Sequence, residues 1–427
     1  MNILLLGSGG REHAIAHFLS KSPKCDKLYV APGNGGTAIC AENVTNLDAE
    51  DVQAVAAFAK EHEIDMVVIG PEAPLVAGVA DAVREAGIAC FGPGEQGALL
   101  EGSKEYSKNF MMAHDLPTAA YSSFADEQVA TEYLDKQEAP IVIKADGLAA
   151  GKGVTVAQTI DEAKKAVHEC FDGKFGRAGA VVVIEEAMSG PECSILAFTD
   201  GETILCMEPA QDHKRAWEDD EGPNTGGMGV YSPVPIVTDE EHDAMLDIMQ
   251  RTLEGLKEDG IDYRGCIYGG FMLTEEGPKL LEFNARFGDP ETQVVLPRLK
   301  SDLVDVMYAC ATKQLKDVEL EWNSKYAVGV VLASEGYPAD YDKGFEISGL
   351  ECVDNREDVW VFHAGTKLDG SKVLTNGGRV LCVTALGDSF EDARDAAYEL
   401  CGKIDFENKF LRRDIGAKAL KGRSAWQ

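Results

Sequence analysis

The sequence predicts a multidomain protein in which a parallel α/β sheet is followed by smaller α+β domains. The chain has 427 residues, which is more than one compact core usually serves, so about two to four domains are expected. Over the first hundred residues apolar strands alternate with helical segments, whereas beyond residue 103 the strands become shorter and their side chains alternate. We therefore predict a first domain over 1–102.

Four apolar segments are the predicted strands of this domain, and helical segments lie between them. The strands are NILLLG at the N-terminus, KLYVA at Lys27–Ala31, DMVVIG at Asp65–Gly70 and IACFG at Ile88–Gly92, and the helices lie near Arg11–Ser20, Ala49–Glu61 and Leu75–Ala86. This order implies a parallel sheet with right-handed crossovers. Each strand ends in a loop rich in glycine or proline, and open sheets bind ligands at that edge. The loops therefore predict a binding rim, with tight turns as the structural alternative.

The first of these loops, GSGGRE, is similar to a dinucleotide-binding turn but lacks part of its pattern. That pattern needs glycine at its first, third and sixth positions, where this chain has Gly7, Gly9 and Glu12. The second strand also ends without an acidic residue for a ribose hydroxyl. We therefore favour a small phosphate at the helix start, bound by the N–H groups of Gly9 and Gly10 and by Arg11.

The segment IVIKADGLAAGKGV combines a strand with a loop of small residues. Alternation places Lys144 on the opposite strand face from Ile141 and Ile143, where a solvated edge lysine is the alternative to a ligand contact. The loop 147–153 lacks bulky side chains, so its amides can close over a polyphosphate. A P-loop is excluded because Gly153 replaces Ser/Thr and a strand follows.

Two acidic motifs follow. In VVVIEEAMSGPEC the adjacent Glu185 and Glu186 point to opposite strand faces, so at most one of them lies in a pocket.

In KLLEFNARFGDPE, alternation places Leu281 and Phe283 on one face of a strand and Glu282 and Asn284 on the other. Two oxygen ligands on one face can bind a single Mg²⁺ that keeps its other positions for water and phosphate. Arg286 would point toward the same phosphate. A hydrogen-bonded core amide is the structural alternative for the asparagine.

Composition limits the possible partners. The chain has 40 basic and 73 acidic residues, a net charge of −33, which argues against nucleic-acid binding and requires that any phosphate site be locally cationic. Neither a signal peptide nor an apolar membrane span is visible. The eleven cysteines form no CxxC pair, which predicts neither a zinc site nor a disulfide framework. A cytoplasmic protein acting on small molecules is expected.

Taken together, these motifs resemble the ATP-grasp superfamily and, within it, the glycinamide ribonucleotide synthetase family. The matching segments occur in order along nearly the whole chain: GSGGREHA, APGN, GPE, IKADGLAAGKGV, DHKR, NTGGMG, FNARFGDPETQ, FHAGT and TNGGRVLCVTALG. The resemblance implies ATP-dependent ligation of glycine to 5-phosphoribosylamine through glycyl phosphate, with Mg²⁺ or Mn²⁺, in a monomer or homodimer. It also implies ATP-grasp domains over 103–324, with a small lid at about 122–190, and a C-terminal α+β domain over 325–427.

The resemblance further implies a role for individual side chains. The implied ATP contacts are Lys104, Lys144, Gly151, Lys152, Glu185, Ala187 and Glu192, and the implied metal ligands are Glu282 and Asn284. The implied phosphoribosylamine contacts are Gly9, Gly10, Arg11, Glu12, Asn34 and Glu72, and those for glycine and its acyl phosphate are Asp212, Lys214, Asn224, Gly227 and Arg286. Lys144, Lys152, Lys214 and Arg286 would neutralise charge during phosphoryl transfer.

One departure and three alternatives accompany this resemblance. Many ATP-grasp enzymes carry another acidic metal ligand on the preceding strand, but YGGFML at Tyr268–Leu273 has no carboxylate, so a second ion would be held mainly by phosphates and Glu282.

The alternatives are another ATP-grasp carboxylate–amine ligase or carboxylase of purine synthesis, an NAD-dependent oxidoreductase, and a nucleotide sensor without catalysis. The SGGREH and RFGDPETQ segments favour the glycine enzyme.

Overall fold

The computed structural model describes residues 1–148, 153–353 and 356–422. Its N-terminal region is a parallel sheet in the order β3-β2-β1-β4-β5, flanked by helices, as predicted. The elements are β1 (Asn2–Gly7), α1 (Gly10–Ser20), β2 (Lys27–Pro32), α2 (Thr37–Cys40), β3 (Glu42–Asn43), α3 (Val52–Glu61), β4 (Met66–Ile69), α4 (Glu72–Val76), α5 (Val79–Glu85), β5 (Ala89–Phe91) and α6 (Glu95–Gly102).

The observed elements differ from the predicted ones in several details, including helices α2 and α6, which were not predicted. Strand β3 was not predicted, because two residues are too few for a recognisable pattern. The helix expected at 75–86 begins at Glu72 instead and is divided at Gly78, whose φ of 82° is a left-handed conformation that suits glycine.

The middle of the chain begins with a helix and a small antiparallel sheet in the order β6-β9-β7-β8. The elements are α7 (Lys104–Ala113), β6 (Tyr121–Phe124), α8 (Glu127–Leu134), β7 (Ile141–Ala145), β8 (Val154–Ala157), α9 (Ile160–Glu169) and β9 (Val182–Glu186). The buried side chains of this small sheet and its helices form a cluster of their own, made only of residues 130–184. We call the segment 122–190 the lid.

A second antiparallel sheet, β11-β10-β16-β17, lies beyond the lid. The elements of this part are β10 (Glu192–Thr199), β11 (Ile204–Cys206), β12 (Gln211–Asp212), β13 (Arg215–Trp217), β14 (Glu221–Asn224), β15 (Gly229–Ser232), α10 (Asp239–Glu258), β16 (Gly265–Thr274), β17 (Gly277–Asn284), α11 (Thr292–Val295) and α12 (Leu303–Ala311). Helix α10 begins with a capping box in which Thr238 and Glu241 bond each other's backbone N–H groups.

The C-terminal sheet has the order β12-β15-β18-β22-β19, with β23 beside β18, so it includes two strands that precede residue 325. Its other elements are β18 (Tyr326–Ser334), β19 (Val359–His363), β20 (Thr366–Asp369), β21 (Lys372–Thr375), β22 (Arg379–Gly387), α13 (Phe390–Cys401), β23 (Lys409–Phe410) and α14 (Ala417–Lys421). Short 3₁₀ or π turns occur at Cys170–Lys174, Gly176–Ala180, Glu218–Asp220, Leu296–Arg298, Leu315–Asp317 and Leu350–Val353.

Two large apolar clusters connect the N-terminal sheet, the second antiparallel sheet and the C-terminal sheet, and neither includes any lid residue that the structure describes. The structure thus confirms the predicted fold class, with a parallel α/β region followed by antiparallel α+β regions. Among the described residues we find no helix with the length and apolarity that a membrane span requires.

Candidate active site

The predicted metal ligands lie on β17, where a β-bulge interrupts the strand. The register with β16 shifts between Gly270 and Phe271, so Leu281 is the extra residue and Leu280, not Leu281, is buried together with Phe283. The expected alternation is therefore wrong at Leu281. It is restored beyond the bulge, where the half-buried Glu282 and Asn284 lie on either side of buried Phe283 in sequence. Bulges of this kind often redirect side chains next to active sites.

Lys214 lies between two carboxylates at this strand. Its Nζ is 3.0 Å from Oε2 of Glu192 and 3.9 Å from Oε1 of Glu282. Burial alone would lower the pKa of Lys214, but Glu192, Asp212 and Glu282 together raise it well above its ordinary value. Burial raises the pKa of Asp212 to about 7, against the opposing effect of Lys214 and with a further contribution from Glu291. The structure therefore brings Asp212, Lys214, Glu192 and Glu282 together, as one polar cluster.

The lid contributes a buried ion network. Glu185 is 2% exposed, and its two carboxylate oxygens are each 2.8 Å from a lysine Nζ, Oε2 from Lys108 and Oε1 from Lys144. Lys144 also donates to the carbonyl oxygen of Leu281 at 3.3 Å, so the bulge and the lid lysine are in contact. Glu186 is exposed, which confirms that only one of the adjacent glutamates is buried.

Other predicted nucleotide contacts surround this network. Lys104 donates from Nζ to the carbonyl oxygen of Gly147 at 3.1 Å, and burial lowers its pKa while Glu282 opposes that shift. Ala187 directly follows β9, two residues beyond Glu185. Gly151 and Lys152 lie outside the described residues.

The start of α1 differs from the predicted phosphate site. The Gly9 N–H donates to Oε2 of Glu12 at 2.6 Å, and the Arg11 N–H donates to Oδ2 of Asp289 at 3.2 Å. The Arg11 guanidinium pairs with Glu12 and donates to the carbonyl oxygen of Phe287. Carboxylates of the chain itself therefore occupy two of the donors expected to bind phosphate. At Gly10 a Cβ atom would lie 2.5 Å from Nε2 of Gln293, so this position has no room for a side chain.

Asn34 forms hydrogen bonds that connect the N-terminal region with the C-terminal sheet. Its Nδ2 donates to the carbonyl oxygens of Ser8 at 2.9 Å and His363 at 2.8 Å, and its Oδ1 accepts from the N–H groups of Gly36 and Thr37. Because these bonds use both ends of the carboxamide, the structure gives Asn34 a positioning role between the two sheets.

Arg286 joins the second antiparallel sheet to the N-terminal sheet. Its Nη2 is 2.6 Å from Oε1 of Glu101, and its Nε is 3.4 Å from Oε2 of Glu72. Burial would raise the pKa of the Glu72 carboxyl, but Arg286 and Arg11 lower it below its ordinary value. The structure thus places Arg286 beside Glu72, and its guanidinium pairs with the carboxylates of Glu72 and Glu101.

The NTGGMG segment contacts the C-terminal sheet through Arg379. Asn224 lies on β14 opposite Arg215, and Gly227 adopts a φ of 109°. The Arg379 guanidinium donates to the carbonyl oxygens of Gly226, Gly227 and Asp289, and its Nη2 is 3.2 Å from Oδ1 of Asp289. This cation connects the glycine-rich segment with the helix start.

Sequence reasoning missed several side chains of this region. These are Lys108, Glu101, Tyr268, Asp289, Glu291 and Arg379. Three of them, Asp289, Glu291 and Arg379, lie within the family-like motifs given in the sequence analysis. Their position in those motifs could have indicated that they belong to the site. Lys108 and Glu101 lie on helices without a distinctive pattern, and only the fold brings them to the site.

Family comparisons cover almost the whole chain. The family models that match are Phosphoribosylglycinamide synthetase, N domain, at residues 1–101, the ATP-grasp (A) domain at 102–292, and the C domain at 327–418. Phosphoribosylamine–glycine ligase of Agrobacterium fabrum is 52% identical over 421 residues, which are 98% of this chain and 99% of that protein. The ligase of the same name from Yersinia pestis is 50% identical over 426 residues, again 98% of this chain and 99% of the relative.

Solved structures agree with this result. The crystal structure of phosphoribosylamine–glycine ligase from Thermotoga maritima has a TM-score of 0.86 and 34% identity, and the match covers 97% of this chain and 100% of that chain. The biotin carboxylase domain of 2-oxoglutarate carboxylase from Hydrogenobacter thermophilus shares the fold at a TM-score of 0.73 and 15% identity, covering 96% and 91% of the two chains. These matches confirm the resemblance and argue against the NAD-dependent alternative. The chain belongs to the phosphoribosylglycinamide synthetase family of ATP-grasp ligases.

Proposed function

We propose that the protein ligates glycine to 5-phosphoribosylamine at the expense of ATP, forming glycinamide ribonucleotide, ADP and phosphate in purine synthesis. The observation that carries this proposal is full-length membership of the family, together with the cluster of Lys214, Glu192 and Glu282 beside the lid lysine Lys144. Glycine carboxylate is a poor acyl donor, so activation as glycyl phosphate must precede attack by the amine.

The residues on β17 fit a divalent cation. Glu282 and Asn284 offer a carboxylate and an amide oxygen, and among the described residues none hydrogen-bonds the Asn284 side chain. The described part of the chain has no group of three or more His, Cys, Asp or Glu side chains suited to a metal, so phosphate oxygens and water would complete the coordination of Mg²⁺ or Mn²⁺. When bound there, the ion would neutralise charge on the ATP phosphates.

The chain's own cations serve the first step by position and charge. A glycine carboxylate oxygen attacks the γ-phosphorus of ATP and ADP leaves, so negative charge collects on the transferring group. Lys214 lies 3.9 Å from Glu282, and Lys144 donates to the carbonyl oxygen of the preceding Leu281, so both cations lie beside this strand and can hold that charge. We assign Lys104 to the ATP phosphates, Glu185 and the Ala187 backbone to adenine, and Lys152 to the closing loop.

In the second step the amine of phosphoribosylamine attacks the acyl carbon, and the bond to phosphate breaks. Closure of the lid excludes water, which would otherwise hydrolyse the acyl phosphate. We assign the phosphoribosylamine side to the rim of the N-terminal sheet, near Arg11 and Glu72, and glycine to Asp212, Lys214 and the segment from Asn224 to Gly227.

The proposal also covers the domain boundaries, the oligomeric state and the cellular location. We divide the chain after residues 102 and 324, although β12 and β15, which precede the second boundary, belong to the C-terminal sheet. We expect a monomer or homodimer that binds small molecules. We also place the activity in the cytoplasm, since all eleven cysteines are free thiols.

The test is release of inorganic phosphate from ATP, measured with glycine and phosphoribosylamine added separately and together. The proposal requires phosphate release that depends on both. Release that depends on formate or bicarbonate instead of glycine would favour the alternative, another ATP-grasp enzyme of purine synthesis.

A further inference from the structure

Arg412 is a buried side chain near the end of the chain to which the reaction outlined above gives no task. Only 1% of the residue is exposed, and it lies between β23 and α14. Its guanidinium forms two parallel bonds with Asp414, from Nε to Oδ1 at 2.8 Å and from Nη2 to Oδ2 at 2.7 Å. Its Nη1 donates to Oδ1 of Asp220 at 2.9 Å and to the carbonyl oxygen of Arg215 at 3.0 Å. Arg412 therefore connects the C-terminal segment 409–418 with the hairpin of β13 and β14.

The same segment also fixes the turn of this hairpin. The Asp219 N–H donates to Oδ2 of Asp414 at 2.9 Å, and the Lys418 ammonium is 2.6 Å from Oδ2 of Asp220. Asp219 and Asp220 have φ values of 58° and 55°, a left-handed conformation that costs free energy in residues other than glycine. Because such a conformation persists where surrounding contacts determine it, we infer that the C-terminal segment holds the turn in this shape.

Lys214, the cation of the polar cluster, directly precedes this hairpin. Its carbonyl oxygen accepts from both the N–H and the hydroxyl of Thr225, at 2.7 and 2.8 Å, so its backbone belongs to the same hydrogen-bonded unit. The next carbonyl oxygen, that of Arg215, is the one that accepts from Arg412. The bond from Arg412 therefore lies one residue away from Lys214, whose Nζ is 3.0 Å from Oε2 of Glu192.

A second contact from the C-terminal segment lies on the other side of Lys214 in sequence. The Gly416 N–H donates to Nε2 of His213 at 3.1 Å, and His213 is only 6% exposed. Burial lowers the pKa of His213 to about 4, so its ring is neutral at pH 7 and its Nε2 can accept this bond. The two residues that flank Lys214 are thus both bonded to the C-terminal segment, which limits the positions that the Lys214 backbone can adopt.

These contacts do more than fix the end of the chain. Asp414, which belongs to the same segment, already compensates the charge of Arg412, whereas Nη1 bonds only the hairpin. We propose that Arg412 is a positioning residue for the reaction: it holds the hairpin of β13 and β14 so that the Lys214 ammonium stays in place beside Glu282. This inference rests on the proposed function, which assigns Lys214 to glycine and to the charge of the transferring phosphoryl group.

The test compares the full-length protein with Arg412→Lys in steady-state phosphate release. Lysine keeps the positive charge but cannot reproduce the planar, forked donors of the guanidinium. Misplacement of a group by about 1 Å can cost about 100-fold in rate, so kcat/KM for glycine should fall about 10- to 100-fold, and part of this fall should be a rise in the KM for glycine. The KM values for ATP and phosphoribosylamine should stay within about twofold.

A simple loss of folded protein gives a different result. It lowers kcat and leaves all three KM values unchanged, and that outcome for Arg412→Lys would overturn the inference. The matched control is Arg264→Lys, since Arg264 also pairs with an aspartate, Asp262, and donates to a carbonyl oxygen, that of Ala311, at the end of α12. The three KM values of this control should stay within about twofold of wild type, and an equal rise in its KM for glycine would contradict a specific role of Arg412.

A double-mutant cycle shows whether Arg412 acts through Lys214. Lys214→Ala removes the ammonium that Arg412 is proposed to position. When Arg412→Lys is added to Lys214→Ala, kcat/KM for glycine should fall by less than about twofold further, because the positioned group is already absent. A further fall as large as the one measured in the presence of Lys214 would mean that Arg412 acts independently, and the positioning role would be refuted.

Asp220→Asn keeps the inference testable even if Arg412→Lys does not fold. This change removes the charge of the hairpin partner but leaves the two bonds between Arg412 and Asp414, so the chain end remains anchored. The KM for glycine should rise in this variant as well, and an unchanged value would count against the inference. A wild-type protein that releases no phosphate with glycine and phosphoribosylamine would instead refute the proposed function, so the two failures are distinguishable.

Discussion

Replacing Glu185 with glutamine should destabilise the lid strongly. The carboxylate is 2% exposed and forms ion pairs of 2.8 Å with both Lys108 and Lys144, whose side chains are 3% and 9% exposed. Breaking a buried pair by removing one partner leaves uncompensated charge and costs about 3–5 kcal/mol. Here two ammonium groups lose the same counter-charge, so we expect the loss to lie within or above that range.

Hydrogen exchange followed by mass spectrometry measures this local loss directly. Since about 1.4 kcal/mol corresponds to a factor of ten, a loss of 3 kcal/mol should accelerate amide exchange in β7 and β9 by roughly 100-fold. Exchange in the N-terminal sheet should not change. The matched control is Asp135→Asn, which breaks the exposed lid pair between Lys164 and Asp135 and should cost under about 1 kcal/mol. If Glu185→Gln accelerates lid exchange no more than this control does, the buried network does not stabilise the lid.

Three other predictions concern the metal, the domain junction and acid stability. Glu282→Ala should lower turnover with Mg-ATP by at least about 100-fold while circular dichroism stays unchanged, because one of two protein ligands is lost; near-normal turnover would remove the metal assignment. Asn34→Ala should destabilise the junction by about 2–3 kcal/mol in urea unfolding, because it removes bonds to Ser8 and His363; an unchanged midpoint would contradict the positioning role. Burial lowers the pKa of His363 from 6.5 to about 4, so the folded state binds fewer protons and stability falls by up to about 3 kcal/mol as the pH drops from 6.5 to 4. His363→Asn should flatten that acid slope in thermal melts, and an identical slope would assign it to other groups.

Local pattern was sufficient to predict the N-terminal sheet. Its strands are continuous apolar runs, and each is followed by a helix, so the spacing alone specifies parallel pairing. Short strands gave weaker signals: β3 has two residues, and the bulge at Leu281 depends on a register shift against β16 that no local pattern records. The prediction that Leu281 shares a strand face with Phe283 failed for that reason.

Neighbouring positions within one segment could be predicted, whereas contacts between residues distant in sequence were missed. The Glu282 and Asn284 pair lies on one strand, so alternation was enough to find it. By contrast, the carboxylate of Asp289 reaches the backbone of Arg11 across 278 positions, and Asn34 reaches His363 across 329. Contacts of that kind depend on how sheets pack, which periodicity does not reveal.

The separate interior of the lid has a mechanical consequence. Its apolar cluster contains only residues 130–184, whereas its attachments to the rest of the molecule in the described residues include polar bonds such as those from Lys108 to Glu185 and from Lys144 to Leu281. Outward movement of this segment would therefore break these polar bonds while leaving the apolar cluster inside the lid intact. The remaining sheets share the two large apolar clusters, so we expect them to move together as one rigid unit. A chimaera in which the lid is replaced by that of another superfamily member should therefore fold, provided that the new lid has a buried carboxylate equivalent to Glu185.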